Sequence, residues 1–257
     1  MRLPDGQEFI GRVVAVSERK IATGGASFSR SKRPAEEGDV GAATWTRRTP
    51  WAGMAFVVLA VTGNALQGST PALHGDSGAV AEFYTEKATA IAVGMMLSLV
   101  SVFFLAWFLG SLRRHLAASE GPEGWITAVA SGGGVATVGL LAAGFALNSA
   151  GALRARETGI TRDVAAVFYD SSLALTGLAA SLTMAVLLAA TALVTLRSGT
   201  LPRWFGWTSA VLAVLGIVTP VSFVLSLLFP VGVAVAAILL ARPGAAGRTG
   251  PAGDVPG

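Results

Sequence analysis

The sequence predicts an all-α fold, a polytopic transmembrane bundle of six helices that follows a disordered N-terminal arm. Hydrophobic residues make up 53% of the 257 residues and charged residues only 13%, whereas soluble domains carry roughly 25% charged residues. Long uncharged stretches recur between residues 51 and 241, while residues 1–50 are rich in charge. The chain therefore divides into an arm (1–50), a membrane domain (51–241) and a disordered tail (242–257).

The arm mixes Gly, Ser, Arg and Glu in the proportions typical of a disordered segment. The first interpretation is a solvated tail. The alternative is contact of its basic residues with anionic lipid headgroups, at about 1 kcal/mol for each residue near such a surface. Nucleic-acid binding is not indicated, because the basic residues flank apolar segments and form no patch interleaved with aromatics. The residues concerned are Arg30, Lys32, Arg33, Arg47 and Arg48.

The membrane domain is divided by its apolar runs. A transmembrane helix needs about 20 apolar residues to cross a hydrocarbon core about 30 Å thick. Six segments meet or approach that length, and Thr219-Pro220 separates the last two, which are short and predict a tight hairpin. Pro230 is expected to kink the last span. The predicted spans are 51–68, 88–109, 125–147, 171–196, 204–219 and 221–241.

The distribution of basic residues predicts the orientation. Of the 19 Lys and Arg residues, 15 fall on the side of the two termini and four on the other side, and cytoplasmic loops carry the excess. All six tryptophans fall at or beside the predicted cytoplasmic ends, and both tyrosines fall at the opposite ends. We therefore expect a multi-pass protein of a bacterial cytoplasmic membrane with both termini in the cytoplasm.

Asp170 precedes the fourth predicted span, and a carboxylate at that position has two interpretations. It lies 27 residues before Arg197, or about 40 Å along a helix, so it should lie in or above the outer headgroup layer. Asp before Ser171-Ser172 is a good N-cap for the fourth helix. The alternative is a functional carboxylate in a hydrated end of the bundle.

Polar residues from four helix ends should meet on the outer side, and they form the candidate ligand site. Glu82 and Glu86 are one turn apart and would share a helix face. The first interpretation is that these ends are polar because water is there, and a shallow ligand or cation site is the alternative. The candidate residues are Asn64, Gln67, Glu82, Glu86, Asn148, Tyr169 and Asp170.

Small residues recur at helical spacing in the third and fourth spans. Residues four apart share a face, and small side chains let helix backbones approach closely. A hinge at Gly132-Gly133-Gly134 is the alternative interpretation of the third span. The predicted packing residues are Ala128, Gly132 and Ala136 in that span, and Gly177, Ser181, Ala185 and Ala189 in the fourth.

Enzyme chemistry and cofactors are not predicted. The chain has no cysteine, which excludes thiolate metal sites and disulfides. The topology puts its two histidines, His74 and His115, on opposite sides of the membrane, so they cannot share a catalytic or metal site. No phosphate-binding glycine motif or paired-histidine zinc motif occurs in the sequence.

The segment SGTLPRWFGWTSAVLAVLGI (198–217), before a final helix that contains proline, resembles a bacterial family of six-helix integral membrane proteins classed as a domain of unknown function. The likeness covers Trp51–Arg242 in layout, and the Leu201-Pro202-Arg203-Trp204 loop carries it most sharply. The resemblance implies the six-span architecture and supplies no catalytic residues.

The expected function is that of a non-enzymatic integral membrane protein that acts through packing or contact with a partner. Its expected interaction partners are the lipid bilayer and either another protein or further copies of itself. The first alternative is a carrier or sensor of a small molecule or cation that uses the outer polar residues. A more distant alternative is an intramembrane enzyme. Charges between Trp51 and Ala241 fall in loops or at helix ends, which favours the first function because transport paths usually need intramembrane charges.

Overall fold

The computed structural model describes residues 51–71, 76–121, 124–199, 201–218 and 222–241. The predicted disordered arm and tail, His74 and the Thr219-Pro220 turn lie outside these residues. The described part of the chain is helical throughout, with turns between the helices and no strand. The predicted all-α fold of six helices is confirmed.

The six helices follow one another with short connections. The fourth contains one π-helical segment, Ala174–Ala179, between two α-helical parts. Pro230 lies inside the sixth helix, which continues to Ala241. The helices are α1 (Trp51–Gln67), α2 (Ser77–Glu120), α3 (Trp125–Glu157), α4 (Arg162–Ser198), α5 (Arg203–Val218) and α6 (Ser222–Ala241).

Three of the helices, α2, α3 and α4, are long and apolar enough to cross a membrane. They contain 44, 33 and 37 residues, or about 66, 50 and 55 Å at the usual rise per residue. Each is therefore longer than a hydrocarbon core of about 30 Å. The shorter apolar helices are α1, Arg203–Ile217 of α5 and Leu228–Ala241 of α6.

The long helices extend well beyond the apolar runs that predicted them. Helix α2 begins at Ser77 instead of residue 88, α3 ends at Glu157 instead of residue 147, and α4 begins at Arg162 instead of residue 171. The physical reason is that the extra turns are amphipathic. A run of hydrophobic residues marks the apolar part of a helix and does not mark where the helix ends.

The main core lies among the apolar parts of the helices. Sequential helices from α1 to α5 pack on one another, and α6 packs on α1, where the rings of Phe56 and Phe229 meet edge to face at 6.3 Å. Leu105 and Phe108 of α2 and Met184 of α4 are at most 2% exposed in this core. A second, separate cluster of buried residues lies at one end of the bundle.

Close helix contacts are made through glycines that the predicted packing series did not include. A Cβ on Gly63 of α1 would lie 2.5 Å from the carbonyl oxygen of Gly94 of α2. A Cβ on Gly133 of α3 would lie 3.0 Å from two backbone atoms of α4. Four residues further along α3, Thr137 Oγ1 and Thr183 Oγ1 of α4 are 2.9 Å apart. These contacts bring α1 close to α2, and α3 close to α4.

The predicted packing face of α3 is wrong by one residue. Ala128, Gly132 and Ala136 are exposed, and a Cβ on Gly132 would meet no atom within 4 Å. In α4, by contrast, Ser181 and Ala185 are buried and Gly177 is half-buried, whereas Ala189 is exposed. Several apolar side chains of α3 are exposed. The large hydrophobic residues in the sequence therefore did not show which face of α3 packs against other helices and which face is exposed.

Candidate functional site

The candidate site lies at the end of the bundle where α1 ends, α2 begins, α3 ends and α4 begins. We call this the tyrosine end, because it holds both tyrosines of the chain. The extra turns of α2, α3 and α4 pack there around their own buried cluster, which contains Val80, Phe83, Tyr84, Ile91, Met95, Ala152, Ala165 and Tyr169. A small three-helix unit thus continues the bundle past its most apolar part.

Tyr84 is the centre of this unit, although it was not among the candidate ligand residues predicted from the sequence. Its side chain is completely buried, and its hydroxyl donates a hydrogen bond of 2.8 Å to Asn148 Oδ1 of α3. One turn further along α3, Gly151 leaves room for the ring, since a Cβ there would lie 3.0 Å from Tyr84 Cζ. The hydrogen bond and the ring contact together join α2 to α3.

Tyr169 of α4 makes the corresponding link to the α1–α2 connection. Its hydroxyl donates a hydrogen bond of 2.7 Å to the carbonyl oxygen of Pro71, and Thr70 supplies a further side-chain hydrogen bond. The Tyr169 ring packs against Phe83 at 6.2 Å and against Tyr84 at 6.5 Å between ring centroids. The three aromatic rings therefore form one cluster between α2 and α4.

Burial governs the acid–base state of both phenols. Burial and the neighbouring Tyr169 and Asp170 charges raise the pKa of Tyr84 far above its ordinary value. Burial also raises the pKa of Tyr169, opposed by the hydrogen bond with Thr70 and reinforced by Asp170. Both phenols stay protonated at neutral pH and act as hydrogen-bond donors.

Lys87 marks a bend in α2 at the edge of this unit. Its backbone leaves the helical region (φ −111°, ψ 16°). Its ammonium group donates to Ser69, at 3.2 Å from the carbonyl oxygen and 3.4 Å from the hydroxyl, and lies 5.5 Å from the centre of the Phe83 ring. A cation beside the end of α1 is favourable, because the carbonyl end of a helix carries partial negative charge.

Only part of the predicted polar site is assembled. Asn148 and Tyr169 take part in the hydrogen bonds of the tyrosine end, whereas Glu82 and Glu86 are exposed on α2. Asn64 donates to the carbonyl oxygen of Ala60 at 2.8 Å. Gln67 is buried but donates to the carbonyl oxygen of Gly63 at 3.4 Å. The amides of Asn64 and Gln67 thus bond to their own helix, α1.

Asp170 does not cap the fourth helix, so that interpretation is wrong. Helix α4 begins at Arg162 with Thr161 in the N-cap position, and Asp170 lies more than two turns inside it. The Asp170 side chain is exposed, and its charge acts on the two tyrosines. It therefore lies at the edge of the tyrosine end, which leaves the alternative of a functional carboxylate untested.

At the opposite end of the bundle, a carboxylate does cap a helix, and it is Glu120. Its Oε1 accepts the amide of Ile126 and its Oε2 accepts the amide of Thr127, each at 2.7 Å. Gly121 (φ 90°) and Gly124 (φ 52°) adopt the left-handed region that favours glycine in the intervening turn. The last residue of α2 thereby satisfies free amides in the first turn of α3.

The hydrogen bonds at Glu120 also set its ionisation. Partial desolvation opposes the charged form, but the Thr127 hydroxyl and the two amides stabilise it. The nearby Arg197 charge adds to this effect, and the pKa of Glu120 lies below its ordinary value of 4.5. Glu120, Trp125 and Arg197 line an open cavity of about 290 Å³. This end therefore presents a fixed carboxylate beside an exposed arginine.

The described residues include no group of three or more His, Cys, Asp and Glu side chains able to hold a metal ion. His115 Nδ1 lies 3.0 Å from the carbonyl oxygen of Ser111 in its own helix. The tyrosine end offers neutral donors, one buried amide, one lysine and exposed carboxylates. These groups can bind and position a polar molecule or a protein surface by hydrogen bonds and charge.

One sequence signal could have revealed Tyr84. Val80, Phe83, Tyr84 and Ile91 recur at helical spacing before and within the second apolar run, which predicts that α2 starts earlier and buries that face. The partners Asn148 and Gly151 follow the third apolar run at a spacing of three residues, so they share a face of α3. The pairing between the two faces is a tertiary contact and has no local signal.

The fold and this site define an all-helical protein with several helices apolar enough for membrane insertion. Comparison with protein-family models, with curated proteins and with solved structures finds no match to the chain. The resemblance to a six-helix membrane family of unknown function therefore stays a prediction.

Proposed function

We propose that the protein is a non-enzymatic integral membrane protein that acts through contact with a partner at its tyrosine end. The observation that supports this most is the three-helix unit that α2, α3 and α4 form beyond their apolar parts. Its polar side chains Tyr84, Asn148 and Tyr169 bond to one another or to backbone. They stabilise the unit internally, and this leaves its charged outer surface available for a partner.

That surface carries both signs of charge on neighbouring helices. Glu82 and Glu86 of α2 and Asp163 and Asp170 of α4 are exposed, as are Arg154, Arg156 and Arg162 of α3 and α4. A mixed surface on a rigid support suits a polar protein interface, in which complementary charges fix the register and raise the rate of association. We therefore propose that the partner presents a charged surface to the tyrosine end, outside the membrane.

The proposed setting is a bacterial cytoplasmic membrane, crossed six times, with both termini in the cytoplasm. The 15 to 4 division of basic residues supports this orientation. So do Trp51, Trp107, Trp125, Trp204 and Trp207, which are all exposed, as residues in an interfacial belt should be. Helices α1 and α5 contain 17 and 16 residues, or about 25 Å, so the bilayer should thin locally around them.

Labelling of single cysteines tests the topology, because the chain contains none. Thr158→Cys and Ala118→Cys are matched sites, since both residues are exposed at the carboxyl-terminal ends of their helices, α3 and α2, and these two helix ends lie at opposite ends of the bundle. An impermeant maleimide should label Thr158→Cys in intact cells and Ala118→Cys only after permeabilisation. Thr219→Cys should behave like Thr158→Cys if α5 crosses the membrane. Labelling of Ala118→Cys alone in intact cells would reverse the orientation.

Photocrosslinking tests the partner contact. A benzophenone amino acid at Glu82, Glu86 or Asp170 should trap the same protein partner in cells. The same probe at Val58 of α1, which is exposed in the middle of an apolar helix, should not trap it. A crosslink pattern that is identical at all four positions would refute a partner specific to the tyrosine end.

A second candidate function, the binding of a small polar molecule or cation, is favoured by the irregular helix geometry. The bend at Lys87 of α2 and the π-helical segment Ala174–Ala179 of α4 both lie next to the tyrosine end, and π segments are frequent at functional sites. A thermal-shift screen with divalent cations and small amines should find a ligand that stabilises the parent and not Asp170→Asn. Equal shifts for both proteins would exclude a role for the Asp170 charge.

A further inference from the structure

An open groove runs along the exposed face of α2 near its Glu120 end. It has a volume of about 490 Å³ and is lined by Phe103, Ala106, Trp107, Gly110, Ser111 and Arg114. These positions recur at intervals of three and four residues, so they share one face of a single helix. We call this the α2 groove. Gly110 leaves open space within this face, since a Cβ there would meet no atom within 4 Å.

The two ends of the α2 groove differ in chemistry. Phe103 and Trp107 are 58% and 49% exposed, and their rings are 5.7 Å apart, so one end is aromatic and apolar. Arg114 closes the other end, with Arg113 beside it, and both are exposed. An amphiphile with a long apolar part and an anionic head matches this division, because a guanidinium binds phosphate through two parallel hydrogen bonds.

The length of the α2 groove fits one acyl chain. Phe103 and Arg114 are 11 residues apart, or about 16 Å along the helix, which is close to half of a hydrocarbon core about 30 Å thick. An acyl chain whose headgroup lies at Arg114 would therefore reach roughly the midplane. The exposed face of α2 continues beyond Phe103 through Val93, Met96 and Val100, so a helix of a second copy is the competing occupant. The exposed arginines Arg113 and Arg114 at the other end favour an anionic lipid, because a guanidinium binds phosphate through paired hydrogen bonds.

We propose that the α2 groove binds one anionic phospholipid, with its phosphate at Arg114 and one acyl chain along Gly110, Trp107 and Phe103. This inference rests on the proposed insertion of α2 in a membrane. Trp107 is seven residues from Arg114, or about 10 Å along the helix, so its ring would lie beside the upper part of the acyl chain. The lipid would cover the exposed residues Phe103, Ala106, Trp107 and Gly110 of α2.

Native mass spectrometry of the detergent-solubilised protein tests the proposal with phosphatidylglycerol and phosphatidylcholine of the same chains. The parent should bind phosphatidylglycerol about tenfold more tightly, a difference of about 1.4 kcal/mol. Arg114→Gln should remove that preference and leave binding of phosphatidylcholine. Gly110→Leu should weaken binding of both lipids, because the leucine side chain would occupy the space at Gly110 without clashing with the rest of the protein. Inorganic phosphate at millimolar concentration should not displace the lipid.

The control is Gly139→Leu, the same change on an exposed position of α3 where a Cβ would also meet no atom within 4 Å. It should leave lipid binding unchanged. Equal binding by the parent and Gly110→Leu, or equal losses in both glycine variants, would overturn the proposal. Full displacement by phosphate would identify a phosphate site instead, and a dimer that only Gly110→Leu dissociates would identify a second copy. Carbonate extraction separately tests membrane insertion.

Discussion

Adjacent glycines in α3 should respond in opposite ways to the same substitution. Gly133 faces α4, where a Cβ would lie 3.0 Å from both Leu187 N and Thr183 O. Gly132 is exposed, and a Cβ on it would have no atom within 4 Å. We therefore expect Gly133→Leu to destabilise the protein and Gly132→Leu to leave it as stable as the parent or more stable.

The magnitudes follow from the two environments. At position 133 the neighbouring atoms belong to the backbone of α4, so a larger side chain must push two helices apart. Overpacking of this kind costs about 1–3 kcal/mol. At position 132 the side chain enters open space, and replacing a helical glycine gains about 0.5–1 kcal/mol. The predicted difference in unfolding free energy between the variants is therefore about 1.5–4 kcal/mol.

Thermal unfolding of the purified protein in detergent measures this difference, since 1 kcal/mol corresponds to about 2–4 °C in Tm for a chain of this size. Gly133→Leu should melt several degrees below the parent, and Gly132→Leu at or above it. Equal losses in both variants would refute the assigned face of α3. A loss confined to Gly132→Leu would restore the face predicted from the small-residue pattern, as a contact between copies of the chain.

Three further predictions concern the polar contacts. Tyr84→Phe should lose about 1–3 kcal/mol, because the Asn148 oxygen is left without its donor; a double-mutant cycle with Asn148→Ala that shows no coupling would contradict this. Glu120→Gln should flatten the fall in Tm at acid pH. The folded pKa of Glu120 lies below 4.5, so its stabilisation is present above pH 4.5 and disappears as the pH falls through the lowered pKa; an unchanged pH profile would exclude Glu120 as its source. Asp170→Ala should leave Tm unchanged in the absence of a ligand, whereas the loss of a helix cap would lower the free energy of unfolding by about 0.5–2 kcal/mol, and Tm with it.

The sequence was sufficient for the number and order of the helices, because apolar runs and the breaks between them are local properties. The first, fifth and sixth predicted spans agree with α1, α5 and α6 to within a residue or two. The middle three were too short, since their outer turns are amphipathic. The residues that extend α2 toward Ser77 include Glu82 and Glu86, which lowered the hydropathy while Val80, Phe83 and Tyr84 still formed a buried face.

The details of helix packing could not be predicted, because they depend on the rotation of each helix. Gly132, Gly133 and Gly134 are chemically identical, and only the neighbouring helices distinguish them. Gly134 faces Leu109 of α2 and Gly133 faces α4, while Gly132 is exposed. A pattern of small residues at every fourth position therefore fits several faces. At the reciprocal approach of Gly63 and Gly94, small residues at every fourth position occur in α2, as Ala90, Gly94 and Ser98, but not around Gly63 in α1.

The change in the interpretation of Asp170 follows from the position of one helix start. If α4 began after Asp170, as the apolar run predicted, that carboxylate would satisfy backbone amides and have a structural role. Because α4 begins at Arg162, the amides near Asp170 are bonded within the helix, and the carboxylate is left exposed beside two buried tyrosines. Its charge raises the pKa of both phenols without helping the helix. An exposed charge with no structural role in the helix is free to meet a partner or a cation, which is why Asp170 is included in both the crosslinking and the ligand experiments.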